Sequence, residues 1–285
     1  MNTRLPGSRI QFIALALMLT FGGYTVGTWS SGSSAQAPQA AVAPTHDYLL
    51  NAVLFMQTSA EFRALCFQAF NQARQTLDRD LRRRTRDRRK RAVVVDIDET
   101  VLDNSPYQGW QVLNNSDYVS ETWYQWTGRA EAKPIPGAVD FLRYANSRGV
   151  RVFYVSNRDK AKELEPTMKN LRALNFPDVS EQTVLLREPN VSSKQPRRDL
   201  IGTRQRIVLL VGDNLGDLAK DFEVRDIPGR YLAVDNNRAR FGADFIVLPN
   251  AMYGGWENAL FPPGTSSDPA VRADLRRKAL VGFTP

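Results

Sequence analysis

Three short apolar runs, each ending in polar side chains, constrain the fold of this chain more than any other feature. They are RAVVVDID at 91–98, VRVFYVS at 150–156 and RIVLLVGD at 206–213. Runs of this kind predict buried strands. A helical pattern at 137–148 precedes the second run, and another at 159–174 lies between the second and third runs. Strands that alternate with helices indicate an α/β fold with a parallel sheet.

Weaker signals extend this pattern. Short apolar stretches at 183–187, 230–234 and 245–248 predict three further strands. Residues 47–81 contain no Gly or Pro, and their apolar side chains recur at helical spacing. This segment is therefore expected to form one or two helices.

The scarcity of cysteine and histidine excludes several kinds of site. Among 285 residues there is one cysteine, Cys66, and one histidine, His46. A disulfide framework, a zinc site of Cys and His ligands and a CxxC redox motif are therefore excluded. We expect Cys66 to pack as a small apolar residue. Any chemistry must depend on carboxylates, hydroxyls, lysine and arginine.

Most of the net charge of +8 comes from one segment. The sequence RDLRRRTRDRRKR at 79–91 contains nine basic and two acidic residues. It contains no aromatic side chain on which a nucleobase could stack, so we expect no nucleic-acid partner. Two interpretations stay open for it, a solvated helix end and a contact with an anionic membrane surface or polymer.

The N-terminus has the pattern of a targeting segment. Arg4 and Arg9 precede an apolar stretch at 10–26, and small and polar residues follow it. This order predicts a signal peptide or an uncleaved membrane anchor within 1–37, and a flexible linker at 38–46. Either alternative predicts an extracytoplasmic protein, which is periplasmic, secreted or tethered to a membrane through its N-terminus.

Polar side chains gather where the strongest strands are expected to end. Ligands of open α/β sheets bind at the carboxyl ends of the strands. The candidate site residues are Asp96, Asp98, Ser156, Asn157, Lys194, Asp213 and Asp217. Carboxylates at this density repel one another unless a divalent cation lies among them.

Four motifs, in order along the chain, resemble those of the haloacid dehalogenase superfamily. They are DIDET at 96–100, a strand ending in Ser156, then Lys194, then GDNLGD at 212–217. The likeness is closer still to bacterial class C acid phosphatases, the group of outer-membrane lipoprotein acid phosphatases and 5′-nucleotidases. The strings that carry it, within about 92–260, are DIDETVLDNSPYQGW, IPGAVDFLRYANSRGVRVFYVSNR, GDNLGDL and VLPNAMYGGWE. The resemblance implies a haloacid dehalogenase-like Rossmannoid core with a parallel sheet and a small α-helical lobe. The chain departs from that group because it has no N-terminal cysteine for lipid attachment.

The resemblance also implies catalytic roles. Asp96 is the expected nucleophile, which forms an aspartyl-phosphate with the substrate. Asp98 is the expected acid and base. Ser156, Asn157 and Lys194 are expected to bind the phosphoryl oxygens.

A metal ion is implied by the same resemblance. Asp96, Asp213 and the main-chain carbonyl of Asp98 are the expected ligands, and Asp217 is expected to orient these ligands without binding the ion itself. Oxygen ligands of this kind favour Mg²⁺.

Simpler interpretations stay open for three of these residues. Ser156 could cap the helix that follows it. Arg197 or Arg198 could take the place of Lys194, and Asp217 could be an ordinary acidic residue in the first turn of a helix.

An aromatic insert at 103–133 is expected to lie beside the core. It is too short for a large cap, and it could pack with residues 47–91 into the small lobe. The resemblance implies that Trp123 and Tyr253 stack on a nucleobase, whereas packing inside the lobe is the alternative for both.

The predicted organisation is a helical segment at 47–91, a phosphatase core at 92–265 and a C-terminal tail at 266–285. The predicted function is Mg²⁺-dependent hydrolysis of small phosphomonoesters, above all nucleoside 5′-monophosphates. A narrow sugar-phosphate phosphatase, a phosphotransferase and an inert membrane-anchored binding protein are the alternatives. A homodimer is a further open expectation.

Overall fold

The computed structural model describes residues 47–284. The helices are α1 (Asp47–Thr58), α2 (Ala60–Arg82), α3 (Ser105–Leu113), α4 (Ser120–Arg129), α5 (Ala138–Ser147), α6 (Lys160–Ala173), α7 (Gln195–Arg204), α8 (Ile227–Asn236), α9 (Gly255–Asn258) and α10 (Pro269–Lys278). The strands are β1 (Lys90–Val95), β2 (Leu102–Asp103), β3 (Lys133–Pro134), β4 (Arg151–Asp159), β5 (Val184–Arg187), β6 (Gln205–Gly212) and β7 (Phe245–Val247). Short 3₁₀ turns occur at Leu215–Asp217, Lys220–Phe222 and Arg238–Arg240.

Five of these strands form one parallel sheet in the order β5-β4-β1-β6-β7. This confirms the predicted α/β fold. The chain moves outward from β1 through β4 to β5 and then returns to the other side of β1 as β6. The carboxyl ends of β1 and β6 therefore flank a topological switch point, where such sheets bind ligands. The remaining two strands, β2 and β3, pair antiparallel beside the sheet.

The strand predicted at 230–234 is wrong, because these residues lie inside α8. The helix begins with a strong local signal. The side chain of Asp226 accepts the backbone N–H of Gly229 at 2.7 Å, and Pro228 occupies the first turn. Both are typical of a helix start, and they outweigh the strand-like composition of RYLAV.

The two helices of the segment 47–91 pack mainly on different parts of the chain. Helix α1 packs on α3 of the insert, whereas α2 packs on α5 and on strands β6 and β7. The buried face of α2 consists of Phe62, Cys66, Phe70, Ala73 and Leu77. These positions recur at helical spacing on one face, so α2 buries that face against the sheet. Cys66 is fully buried, as expected, and burial raises the pKa of its thiol to about 12.

The arginine-rich segment 79–91 lies at the edge of the sheet opposite the catalytic motifs, because it leads into the amino end of β1. Part of its charge is neutralised there. Asp80 forms ion pairs with Arg91 and with Arg206 of β6, both at 2.6 Å. Arg89 pairs with Asp87 at 2.7 Å. These contacts hold the end of α2 to the sheet, and they do not reach the site.

The structure describes most of the predicted C-terminal tail but not the predicted N-terminal segments. The predicted targeting segment at 1–37 and the linker at 38–46 lie outside the described residues. Within 47–284, no helix combines the length and the apolar character needed to cross a membrane. The predicted tail at 266–285 contains α10, whose Arg276 pairs with Glu257 at 2.6 Å.

Candidate active site

Three carboxylates converge where β1 and β6 end. Asp96 directly follows β1, and Asp213 directly follows β6. Asp217 lies on the 3₁₀ turn after β6. One oxygen from each of the three carboxylates lies within 4.8 Å of the other two. The structure therefore brings together Asp96, Asp213 and Asp217, and it places Asp217 as close to the cluster as the two residues predicted to bind metal.

Lys194 enters this cluster from the residue before α7. Its Nζ contacts Oδ1 of Asp96 and lies 2.6 Å from Oδ1 of Asp217. Burial alone would lower the pKa of Lys194, but Asp217 and Asp96 raise it above its ordinary value. The ammonium is therefore charged at neutral pH.

The neighbouring arginines have other partners. Arg197 donates to the main-chain oxygen of Ser156 and to Oδ1 of Asn157, both at 2.6 Å. Arg198 donates to the main-chain oxygens of Gly216 and Asp217 at 2.9 and 2.8 Å. Both hold loops of the site in place, and Lys194 is the cation that reaches the carboxylates.

Burial and mutual repulsion raise the pKa values of two of the three carboxylates. Burial raises the pKa of Asp96 well above its usual range, Lys194 opposes that rise, and Asp217 and Asp213 add to it. Burial and the repulsion by Asp217 raise the pKa of Asp213 to about 7. A bound cation would relieve this repulsion and keep the oxygens ionised. The donors are all hard oxygens, so the residues fit a divalent cation such as Mg²⁺.

Two polar side chains fix the orientation of Asp213. Oγ1 of Thr100 donates to its Oδ1 at 3.1 Å, and Nδ2 of Asn250 donates to its Oδ2 at 2.8 Å. Neither residue was singled out from the sequence. Thr100 belongs to the DIDET motif and Asn250 to the PNAMYGGWE string, so the motifs contained both signals.

Asp98 is held by three donors. Its Oδ1 accepts Nε of Arg158 and Nδ2 of Asn104, both at 2.9 Å, and its Oδ2 accepts Oγ of Ser156 at 3.0 Å. Arg158 and Asn104 were not predicted. Arg158 lies two residues after Ser156 on β4, so both side chains lie on one face of that strand. That period of two could have indicated Arg158.

Ser156 does not cap the following helix. The N-cap of α6 is Asp159, whose Oδ1 accepts the backbone N–H groups of Ala161 and Lys162 at 2.8 and 3.2 Å. Ser156 is fully buried at the site instead. Asn157 follows it and lines the same cavity as Asp96 and Lys194.

The protein family follows from a comparison with known proteins. The model of the haloacid dehalogenase superfamily, subfamily IIIB (acid phosphatase), matches residues 21–256. The chain belongs to this acid phosphatase family. The phosphatase is therefore a phosphomonoester hydrolase, and the resemblance drawn from its four motifs is confirmed.

Similar proteins agree with this assignment. The phosphatase is 38% identical to the class C acid phosphatase of Bacillus anthracis, with a TM-score of 0.79 over 84% of this chain and 99% of that one. A structure of the same enzyme with tungstate bound gives 38% identity and a TM-score of 0.78. A stem 31 kDa glycoprotein of Glycine max is 26% identical over 190 residues, which are 65% of this chain and 69% of that protein.

The catalytic cavity of the phosphatase has a volume of about 730 Å³. Its floor includes Asp96 and Lys194, and aromatic side chains line its wall. Trp123 is only 8% exposed, its Nε1 donates to Oε1 of Glu163 at 2.8 Å, and its ring packs edge-on against Tyr107. Tyr118, which packs beside Trp123, is 59% exposed. Of this pair, Tyr118 therefore presents the larger free surface to the cavity.

Tyr253 contacts Glu99, a residue of the DIDET motif to which the sequence analysis assigned no role. Its hydroxyl donates to the carboxylate of Glu99, which is completely buried and also accepts the backbone N–H of Asn104 at 2.8 Å. Burial, with repulsion from Asp98 and Asp213, raises the pKa of Glu99 well above its usual range. The contact fixes the half-buried Tyr253 in the cavity wall.

Gly212 allows the close approach of Asp217. A Cβ at residue 212 would lie 2.4 Å from Cβ of Asp217 and 2.6 Å from its Oδ2. The missing side chain therefore lets the Asp217 carboxylate turn back toward Lys194.

We expect Gly212→Ala to lower kcat/KM about 10- to 100-fold, because the added methyl group displaces the Asp217 carboxylate. Steady-state kinetics and the thermal midpoint check this. Gly216→Ala is the matched control, since a Cβ there would meet nothing within 4 Å. Wild-type activity in Gly212→Ala would show that catalysis tolerates a displaced Asp217.

Proposed function

We propose that this acid phosphatase hydrolyses nucleoside 5′-monophosphates and other small phosphomonoesters through an aspartyl-phosphate on Asp96, with Mg²⁺ as cofactor. The observation that carries the proposal is the contact of Lys194 with both Asp96 and Asp217, beside Asp213. A nucleophile, an ammonium and a set of oxygen ligands then share one end of the cavity. Phosphoryl transfer needs these groups in place and little other covalent chemistry.

In the first step, an Oδ atom of Asp96 attacks phosphorus as the bond to the ester oxygen breaks. Asp98, in its protonated form, gives its proton to the leaving alkoxide, and the alcohol departs. In the second step, the Asp98 carboxylate takes a proton from water while the water oxygen attacks phosphorus. The bond between phosphorus and Asp96 then breaks, which releases inorganic phosphate and restores both carboxyl groups.

Neighbouring groups support these steps. Lys194 would offset the charge of the phosphoryl oxygens. Ser156, Arg158 and Asn104 hold Asp98, the acid and base of the proposed mechanism, in place. Asp96, Asp213 and the main-chain carbonyl of Asp98 would hold Mg²⁺, with Asp217 beside them, and the ion would stabilise negative charge on the phosphoryl group when bound. The tungstate bound to the similar Bacillus anthracis enzyme is a tetrahedral oxyanion like phosphate, which supports an anion site of this kind.

A panel of substrates tests this proposal. Phosphate release is measured with nucleoside 5′-monophosphates, sugar phosphates and p-nitrophenyl phosphate, with and without EDTA, and then with Mg²⁺ restored. Turnover of several nucleotides that EDTA abolishes and Mg²⁺ restores would support the proposal. Turnover of a single sugar phosphate would favour the narrow enzyme, and transfer to an added alcohol would favour a phosphotransferase. Lack of activity on every substrate would favour an inert binding protein.

The aromatic wall supports nucleotides as substrates. Tyr118, Trp123 and Tyr253 line one cavity with Asp96. A base that stacks on such a face gains affinity with little dependence on its identity. The buried position of Trp123 and its bond to Glu163 indicate that it supports the wall, while Tyr118 offers the exposed ring.

We therefore expect different results from two substitutions. Tyr118→Ala should lower kcat/KM for a nucleoside monophosphate about 5- to 150-fold, since one stacked face contributes about 1–3 kcal/mol. Its activity on glycerol phosphate should hardly change. Trp123→Ala should lower the thermal midpoint and the rates for both substrates, because it empties a packed position. Equal losses for both substrates in Tyr118→Ala would contradict a role in binding the base.

We also propose that the enzyme acts outside the cytoplasm. The support is the charged and then apolar N-terminus, followed by a small-residue segment. Expressed in a Gram-negative host, the full chain should fractionate with the periplasm or the membrane. A chain without residues 1–40 should stay in the cytoplasm and remain soluble and active. Cytoplasmic location of the full chain would contradict the proposal.

A further inference from the structure

A second cavity of about 590 Å³ adjoins the catalytic one. The two share a wall made of Asn157, Lys194, Asn214, Asp217, Asn258 and Arg272. Because Lys194 and Asp217 belong to the catalytic cluster, a substrate whose phosphoryl group lies at Asp96 also lies beside this second space.

The charge of the second cavity is dominated by arginine. Its basic side chains are Lys194, Arg225, Arg230 and Arg272, and its acidic ones are Asp217 and Glu223. Lys194 and Asp217 pair with each other. Three arginines therefore share the cavity with one further carboxylate, that of Glu223, which already accepts the hydroxyl of Ser193.

Arg230 gives the strongest indication of an anionic ligand in the second cavity. A Cβ at Gly255 would lie 2.7 Å from Nη1 of Arg230 and 3.0 Å from Oδ1 of Asn214. The guanidinium and the side chain of Asn214, the residue after Asp213, therefore both lie close to Gly255 at the start of α9. The guanidinium forms no hydrogen bond or ion pair with any residue of the described range 47–284, and burial lowers its pKa. A partly desolvated cation without an anionic partner is unfavourable unless a ligand supplies one.

Arg272, which lines both cavities, also lacks an anionic partner among residues 47–284. Its guanidinium lies over the ring of Phe261, 5.2 Å from the centroid, and its Nε is buried without a hydrogen-bond partner. It lines both cavities, so it stands between them. Within residues 47–284, neither Arg272 nor Arg225 pairs with a carboxylate.

We propose that the second cavity binds a second phosphate group of the substrate, so that the enzyme prefers bisphosphorylated small molecules. Guanidinium groups match phosphate oxygens in charge and in geometry. The proposal rests on the proposed function, because the first phosphate occupies the catalytic cluster. It deepens that function by naming the substrate class.

Two matched substrate pairs test the proposal. Adenosine 3′,5′-bisphosphate is compared with adenosine 5′-monophosphate, and fructose 1,6-bisphosphate with fructose 6-phosphate. We expect kcat/KM to favour the bisphosphate about tenfold or more in at least one pair. In Arg230→Gln and in Arg272→Gln the preference should fall to about twofold or less. Arg230 lies outside the catalytic cavity, so Arg230→Gln should also leave the monophosphate rates unchanged. Arg277→Gln, at an exposed position of α10 outside both cavities, should keep the preference.

The results separate the subsite from the chemistry. Equal rates for both members of both pairs, or a preference that survives both substitutions, would overturn the subsite while leaving the phosphatase proposal intact. Lack of turnover with every monophosphate and bisphosphate would instead overturn the proposed function. In that case binding to Asp96→Asn protein decides the subsite: tighter binding of a bisphosphate, lost when Arg230→Gln is added, supports it, and equal affinities overturn it.

Discussion

Replacing Asp96 with asparagine is expected to lower kcat at least about 1,000-fold, because an amide oxygen cannot form the phosphoenzyme. The fold should remain, since the change removes one charge from a crowded cluster of carboxylates and Lys194 keeps its contact with Asp217 at 2.6 Å. The measurements are single-turnover kinetics and the thermal midpoint. Brief incubation of the wild type with a ³²P-labelled substrate should also yield a hydroxylamine-sensitive label that Asp96→Asn lacks.

A matched variant controls for this test. Asp221 lies on an exposed turn and lines neither cavity. Asp221→Asn therefore makes the same change from carboxylate to amide outside the cluster, and its rate should match the wild type. If Asp96→Asn retained a tenth of the wild-type rate, Asp96 would not be the nucleophile. A normal label in Asp96→Asn would place the phosphoryl group on another residue.

The position of the cluster could be predicted from the sequence because it depends on topology. Parallel strands bring their carboxyl ends to one edge, so the polar residues that follow β1 and β6 and those in the last part of β4 had to meet. Only the order of the strands was needed to place Asp96, Ser156 and Asp213 together. Lys194 was harder to place, because it lies in a polar loop beside two arginines, and only its contacts distinguish it from them.

Long-range packing accounts for what the sequence did not reveal. Trp123 is an aromatic residue in an aromatic insert, and its burial depends on Tyr107 and on Glu163, which lies 40 residues further along the chain. Asn104 acts through Asp98, and no local pattern marks it, whereas the period of two along β4 could have indicated Arg158. Helix α2 looked like part of a lobe because its apolar face is clear, but a pattern does not say which surface covers that face.

Local signals were also overlooked in one place. The prediction of a strand at 230–234 rested on a short apolar stretch and took no account of Asp226 and Pro228, which begin a helix. This error affects the second cavity, because Arg230, which lines it, lies on α8. On a strand its side chain would have had a different direction, so the second cavity could not have been inferred from the sequence.

Lys194→Met is expected to lower kcat/KM about 100- to 1,000-fold, as is typical when a preorganised donor to a developing charge is lost. Methionine keeps most of the side-chain volume and removes the charge. Asp96, Asp213 and Asp217 then repel one another without a compensating ammonium, so their affinity for a divalent cation should not fall. Binding of an oxyanion should weaken instead. The measurements are kcat/KM, the inhibition constant of inorganic phosphate and the Mg²⁺ concentration for half-maximal rate.

These three values, together with the thermal midpoint, distinguish the role of Lys194 in binding phosphate from a merely structural role. A structural role predicts a lower thermal midpoint and a weaker response to Mg²⁺, with little change in phosphate inhibition at saturating metal. A role at the phosphoryl oxygens predicts phosphate inhibition that weakens strongly, with the response to Mg²⁺ kept. Lys162→Met, an exposed position on α6, is the matched control and should behave as the wild type. A loss below tenfold in Lys194→Met would mean that another cation, with Arg197 the nearest candidate, neutralises the phosphoryl group.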